Sequence, residues 1–279
     1  MMGARMKSRL TRLFIYTILT ITAIACVYPI LWVIMASFNP GTSLFSATLI
    51  PDRLTTAHYF NLFVEREFGL WYRNTLNIAF WTMILAVALV IPTAYALSQF
   101  RFKGRRLSLM SMLVLQMFPS FMSMIAIYLL LLQLRLLDTH IGLILVYAGG
   151  AIPFGSWLVK GYFDGIPRSL AEAAKIDGAS NATVFTKIML PLSSPIITFV
   201  ALSNFIAPWM DFILARLVLR SSGRKTLAIG LFEMVTGYAH TEFTMFAAGS
   251  VMVAIPITIL FIFLQRYIVQ GLTEGASKI

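Results

Sequence analysis

Long apolar runs alternate with short polar stretches along this chain, and the runs set the list of elements. Six are candidates for membrane-crossing helices, at roughly 13–38, 71–97, 108–133, 141–163, 190–219 and 243–267. Each supplies the about 20 apolar residues that a bilayer requires. Lipid offers a backbone N–H or C=O no partner, so a span is a helix or part of a closed barrel. The runs are unbroken rather than alternating, which selects the helix. The first run follows a basic stretch, as in a signal peptide. Its roughly 25 apolar residues exceed a signal core and no A-x-A-like site follows, so a retained helix is expected. The expected fold class is all-α, a polytopic membrane protein of six transmembrane helices in a single domain over 1–279.

Two of the polar stretches are long. Residues 39–70 contain Pro40-Gly41 and Pro51, then the aromatics Tyr59, Phe60, Phe63, Phe68, Trp71 and Tyr72. These suit a helix lying at a membrane interface. Residues 220–242 mix glycines with apolar residues, which is more than a solvated connector needs.

A third stretch, around "SLAEAAKIDGAS", puts Glu172, Lys175 and Asp177 in one small island. Ser169 and Glu172 have the spacing of a capping box, and Gly178 stands where a left-handed residue ends a helix. A two-turn helix over about 170–177 follows. Ser180 or Asn181 then caps a second helix, with Phe185, Ile188 and Met189 on one face and Pro191 at re-entry into the membrane. Two turns are not stable alone in water. The island therefore packs on this chain's own helix ends, lies on lipid, or docks a soluble partner.

Composition fits these spans. Of 279 residues 59% are hydrophobic and 12% charged, with a mean hydropathy of +0.83; soluble domains carry about 25% charged residues. The net charge of +11 would suggest nucleic acid, but its distribution follows topology. With both termini cytoplasmic, the inside segments hold 14 of the 22 Lys and Arg and only four of the 11 acids. That is the positive-inside pattern, against which the external Arg220, Arg224 and Lys225 run. The lone Cys26 sits in an apolar run and forms no intramolecular disulfide. His58, His140 and His240 match no metal-ligand spacing.

The chemistry missing from the sequence narrows function. No G-x-x-x-x-G-K-[ST] loop occurs, so ATP is not bound by that mechanism. Ionisable groups at the membrane centre cost about 2.5–3.5 kcal/mol and mark ion or proton paths. The six runs hold almost none, with Asp211 and Arg216 towards the outer end of the fifth. This argues against a proton-coupled carrier. A pathway would be lined by neutral groups such as Asn74, Asn77, Tyr95, Gln116, Ser203, Asn204 and Trp209, with Asp211. Each of these also suits ordinary helix–helix bonding or packing.

Residues 172–191, "EAAKIDGASNATVFTKIMLP", resemble the EAA loop of ABC importer permeases. "TAYALSQFRFKGRR" and "PFGSWLVKGYFDGIPRSL" resemble flanking parts of the same family. "APWMDFILA" resembles its W-N-E-F pattern, departing from it at Met210 and Asp211. "KTLAIGL" and "QRYIVQGLTEGASKI" look like maltose-type, MalG-like permeases of carbohydrate importers. The resemblance implies a type I ABC importer permease fold with a core over 70–268, a cytoplasmic coupling loop at about 164–190 and external loops at about 39–70 and 220–242. It assigns ATPase coupling to Glu172, Ala173, Ala174, Asp177, Gly178, Ala179 and Phe185. It gives an ATPase-contacting tail to Gly271, Leu272, Thr273, Glu274 and Gly275, and a binding-protein loop to Gly230, Leu231, Phe232 and Glu233.

The implied partners are a second homologous permease, two ATPase subunits, an extracytoplasmic sugar-binding protein and the lipid bilayer, without nucleic acid. The implied place is a bacterial or archaeal cytoplasmic membrane. No cofactor is expected on this chain, ATP and Mg being used by the partner ATPase, and no catalytic role of its own. A maltodextrin-like oligosaccharide is the favoured cargo; galacto-oligosaccharides, raffinose-type sugars and glycerol phosphate stay open. The alternatives are a stand-alone secondary carrier or channel, or a structural membrane protein.

Overall fold

The computed structural model describes residues 2–42, 50–236 and 242–276 and, within these, the side chains of all but 2–9, 120 and 266–276. Among them the structure is helical and without strands. The helices are α1 (Met2–Ser37), α2 (Ala57–Val64), α3 (Phe68–Gln99), α4 (Arg105–Met117), α5 (Met124–Gln133), α6 (His140–Gly165), α7 (Arg168–Ile176), α8 (Asn181–Val184), α9 (Leu190–Leu192), α10 (Ser194–Met210), α11 (Ile213–Val218), α12 (Leu227–Thr236) and α13 (Phe243–Ala276).

Four helical stretches are long and apolar enough to cross a membrane: Leu10–Ser37, Phe68–Gln99, His140–Gly165 and Phe243–Gln265. The expected continuous spans at 108–133 and 190–219 are instead broken. Arg105–Met117 and Phe121–Gln133 meet at 93°, and Asn181–Leu192 and Ser194–Met210 at 78°. If each bent pair is one span, the total is six. Proline accounts for both bends. Phe118, before Pro119, is extended at φ −80° and ψ 131°, as pre-proline sterics favour. Pro191 and Pro195 flank Ser193 and remove two helix donors. The fifth run breaks again at Asp211, extended at φ −86° and ψ 113°, before α11 restarts. Pro29, Pro92, Pro153, Pro208 and Pro256 lie inside helices that continue.

The chain divides into two compact units. The first comprises Met1–Glu67 and Leu231–Ile255. Its α1 is exposed over residues 10–31, and Ala36 and Ser37 are buried. The Ser37 and Tyr59 hydroxyls are 2.7 Å apart, the Phe38 and Tyr59 rings 5.5 Å, and Arg66 donates to Glu242 at 2.6 Å. On α2, Phe60 and Phe63 are exposed, as an interfacial helix requires.

The second unit comprises Phe68–Gly230 and Pro256–Ile279. Phe68 and Trp71 are buried in it, which corrects their interfacial assignment: they open α3, an interior helix. Helices α3, α6 and α10 pack on one another. One apolar cluster joins Val90 and Tyr95 of α3 to Phe163 of α6, to Val200 of α10 and to Met189, which precedes α9. Another joins Ile78 of α3 to Leu131, Leu143, Val218 and Ile229. Because lipid tails are as apolar as these side chains, the clusters hold the helices by close van der Waals packing rather than by removal from water.

Candidate functional site

The polar island folds as a helix with two unlike faces. α7 begins at Arg168 directly after Pro167, and no side chain caps it. The expected Ser169–Glu172 capping box therefore does not form. Pro167 starts the helix early and leaves Ser169 inside the first turn. Helix α7 ends as expected: Gly178 has φ +86°, its N–H donates to Lys175 C=O at 3.0 Å, and Ala179 N–H donates to Ala174 C=O at 2.9 Å. The Ser180 hydroxyl then accepts from Thr183 N–H at 3.1 Å, capping α8.

Ala171, Ala174, Ala179 and Phe185 pack on the cluster around Val90, Tyr95 and Phe163. The opposite side presents Glu172, Ala173, Lys175, Ile176 and Asp177, all exposed. Ile176 is 86% exposed, a large apolar side chain held out of the fold. Among the described residues, the side chains of Glu172, Lys175 and Asp177 make no hydrogen bond or ion pair. After Val184 the second expected helix widens into a π turn, Phe185–Met189, in which Leu190 N–H reaches Phe185 C=O. Pro191 has no N–H to give Lys187 C=O in an α-helical ladder.

Polar contacts fix this end of the unit. Arg105 Nε donates to Leu97 C=O at 2.7 Å, and the Ser98 hydroxyl donates to Asp164 at 2.6 Å. Lys160 pairs with Asp164. The ends of α3 and α6, the start of α4 and the α7–α8 segment thus come together, with Arg101, Lys103, Arg105, Arg106, Lys160, Arg168, Lys175 and Lys187 on these elements or in the turns that adjoin them.

The opposite end holds an open cleft of about 590 Å³ lined by Arg73, Asn74, Asn77, His140, Ser221, Gly223 and Arg224. Its loop is held from distant parts of the chain. Asn74 donates to Gly223 C=O and Lys225 C=O, both at 3.0 Å. His140 Nε2 lies 3.1 Å from Arg224 C=O. Asp138, at φ +55°, accepts from Arg220 N–H at 2.9 Å and Ser221 N–H at 3.0 Å, and from the Ser221 hydroxyl. Burial pushes the Asp138 carboxyl up, but these hydrogen bonds and the nearby Arg224 charge outweigh it and hold the group below its ordinary range. Arg220 also donates to the Tyr128 hydroxyl at 2.6 Å. None of these long-range bonds had a sequence signal.

The expected pathway residues scatter. Asn77 lines the cleft, while Gln116 is exposed on α4 and Ser203 on α10. Asn204 donates back to Val200 C=O at 2.8 Å. Trp209 is 3% exposed and meets Tyr72 edge-on at 5.5 Å. Asp211 accepts from the Tyr147 hydroxyl at 2.6 Å and from Leu214 N–H at 3.2 Å, which stabilises the restart into α11. Tyr95 is 7% exposed and lies beneath the α7–α8 segment, in ring contact with Phe185 at 4.7 Å.

Gly230 is buried where any Cβ would stand 2.2 Å from the Trp71 ring. Leu231 is buried, Phe232 exposed and Glu233 half-buried on α12. Gly271, Leu272, Thr273, Glu274 and Gly275 belong to the backbone of α13, and their side chains lie outside the described residues. Among the described residues no group of His, Cys, Asp and Glu could hold a metal ion.

Comparison with known proteins fits this architecture. The chain is 44% identical to the galactooligosaccharides transport system permease protein GanQ of Bacillus subtilis (strain 168), over 99% of this chain and all of that one. It is 39% identical to the maltodextrin transport system permease protein MdxG of the same organism, over 99% of this chain and all of that one. A chain of a bacterial ABC transporter involved in the import of the acidic polysaccharide alginate superposes with a TM-score of 0.82 at 25% identity, over 93% of this chain and 96% of that one. Residues 91–274, which include α7, Gly178 and the π turn, match the model of the binding-protein-dependent transport system inner membrane component. The chain belongs to that family of ABC importer permeases, as its polar island implied.

Proposed function

We propose that this chain is one of two membrane-spanning subunits of an importer that carries an oligosaccharide into the cytoplasm, driven by ATP hydrolysis on separate subunits. The observation that carries this reading is the two-faced α7. Its alanines seat it on the bundle, while Glu172, Lys175, Ile176 and Asp177 face away from the fold. A short helix that leaves its charges unpaired and an isoleucine 86% exposed is suited to being covered by another chain. An ATPase subunit on that face would move α7, and α7 would move the spans beneath it. The gathering of basic residues at this end supports its placement in the cytoplasm, with both termini on the same side. The cleft at the opposite end would then face a sugar-binding protein outside the cell. Segments 230–233 and 271–275 are proposed contacts with that protein and with the ATPase.

The cargo proposed is an oligosaccharide of the galacto-oligosaccharide or maltodextrin kind. The names of two full-length relatives, GanQ and MdxG, support this class. The test is reconstitution. The chain is purified with its co-expressed second permease, ATPase and binding protein, and uptake of galacto-oligosaccharide, maltodextrin and alginate oligosaccharide into vesicles is measured with and without internal ATP. ATP-dependent uptake of one of the first two is expected. Uptake that continues without any ATPase would overturn the reading in favour of a stand-alone carrier.

A further inference from the structure

We infer that the ring of Tyr95 is the joint through which the α7–α8 segment grips the membrane helices, and that the π turn is the compliant element beside it. This rests on the importer reading above. The grip of α7 itself is slight: Ala171 and Ala174 offer only methyl groups to the bundle, and the side chains of Glu172, Lys175 and Asp177 make no hydrogen bond or ion pair to another described residue. A push along such a helix could slide it over the bundle rather than move the bundle.

Tyr95 supplies an interlocking contact. Its ring centroid lies 4.7 Å from that of Phe185 in the π turn, 5.9 Å from Phe163 of α6 and 5.6 Å from Phe100 after α3. The latter two are edge-on, at 78° and 83°. Held by rings from α6 and from the π turn, and braced by Phe100 at the end of its own helix, the Tyr95 ring interlocks the three segments where methyl groups alone would slide. The hydroxyl adds little, because it stands 3.4 Å from Asn181 C=O, against about 2.7–2.8 Å for a good O–H···O bond.

The turn carrying Phe185 is bonded five residues apart, from Leu190 N–H to Phe185 C=O, and is followed by Pro191. Such turns are wider than α-helical ones and recur at functional sites. Phe185 can thus follow α7 and α8 while α10, beyond the 78° bend, keeps its own course. Tyr95 is a positioning residue, acting on cargo and nucleotide only through α3.

The experiment compares sugar uptake with ATP hydrolysed in vesicles holding the whole transporter. The variants are Tyr95→Phe, Tyr95→Leu, Tyr95→Ala and Phe185→Ala, with Phe80→Ala as a control that removes an exposed ring from the same helix. Tyr95→Phe and Phe80→Ala should keep the wild-type ratio. Tyr95→Leu, Tyr95→Ala and Phe185→Ala should assemble and hydrolyse ATP yet lower uptake per ATP by roughly 2- to 30-fold, the range of mutations along coupling routes. Tyr95→Ala combined with Phe185→Ala should be no worse than either alone.

If Tyr95→Ala fails to assemble, Tyr95→Leu, which keeps most of the volume, gives the result. An unchanged ratio in the Leu variant, or equal loss of uptake and hydrolysis, makes the residue merely structural and overturns the inference. A wild-type transporter showing no ATP-driven uptake would instead sink the importer reading itself.

Discussion

Gly230 shows how little room single residues have. A Cβ there meets Trp71 Cε3 at 2.2 Å and Cζ3 at 2.4 Å, far inside van der Waals contact. The ring cannot retreat easily, since Trp71 is 6% exposed. Overpacking of this kind costs about 1–3 kcal/mol. Gly230→Val should therefore lower the thermal midpoint of the purified transporter, and Gly230→Val with Trp71→Leu should recover part of the loss. Asp138 makes a prediction in pH. Its folded carboxyl titrates below its ordinary range, so it contributes stability above the unfolded value near pH 4. That contribution is lost as pH falls through the folded value. Amide exchange at Arg220 and Ser221, corrected for the intrinsic pH dependence, should lose protection on acidification. Asp138→Ala should show the unprotected rates at neutral pH.

At the scale of elements, Gly178 ends α7 in the left-handed region with open space around its Cα. Within this chain the cost of a side chain there is conformational, about 1–2 kcal/mol for most residues and less for asparagine. Gly178→Asn should keep ATP-driven uptake, and Gly178→Val should reduce it by re-aiming α7; uptake by the two variants at matched expression is the check. The stops at Gly178 and Ser180 were legible because they are local, set by φ and by one side-chain bond three residues on. The start was misread because Pro167 opened the helix before Ser169 could cap it. Prolines inside the runs were visible too, but not which would break a helix. Pro119 follows an extended residue, and Pro191 and Pro195 act as a pair around Ser193, whereas Pro92 and Pro153 lie inside helices that continue through them. Tyr95 was legible only as a neutral group that could line a pathway, not as a contact of the α7–α8 segment: that contact depends on Phe163 and Phe185 arriving from 68 and 90 positions away in the sequence.

For the whole molecule, apolar runs were enough to read an all-helical membrane protein, since lipid leaves backbone groups no alternative. Two of the six expected spans are nonetheless broken. Helix α1 is exposed over 10–31, with Leu13, Phe14 and Ile21 each more than 60% exposed. In the proposed importer, lipid or a second permease would cover it. Cys26, exposed on the same helix, should resist a charged maleimide in intact membranes and react once the protein is unfolded in detergent. Labelling in intact membranes would place α1 in contact with water.

The loop around residues 220–225 bears on how the chain is made. It is held by Asn74, Asp138 and His140, all of which leave the ribosome well before it. Until residue 225 has been synthesised, those side chains lack these bonds and the starts of α3 and α6 are not latched by this loop. Closure of the loop is therefore a late event in biogenesis, and it reports that three separately inserted parts have met in register. A nascent chain stopped short of residue 220 should be recognised and degraded as incomplete, though most of its spans are already in the membrane.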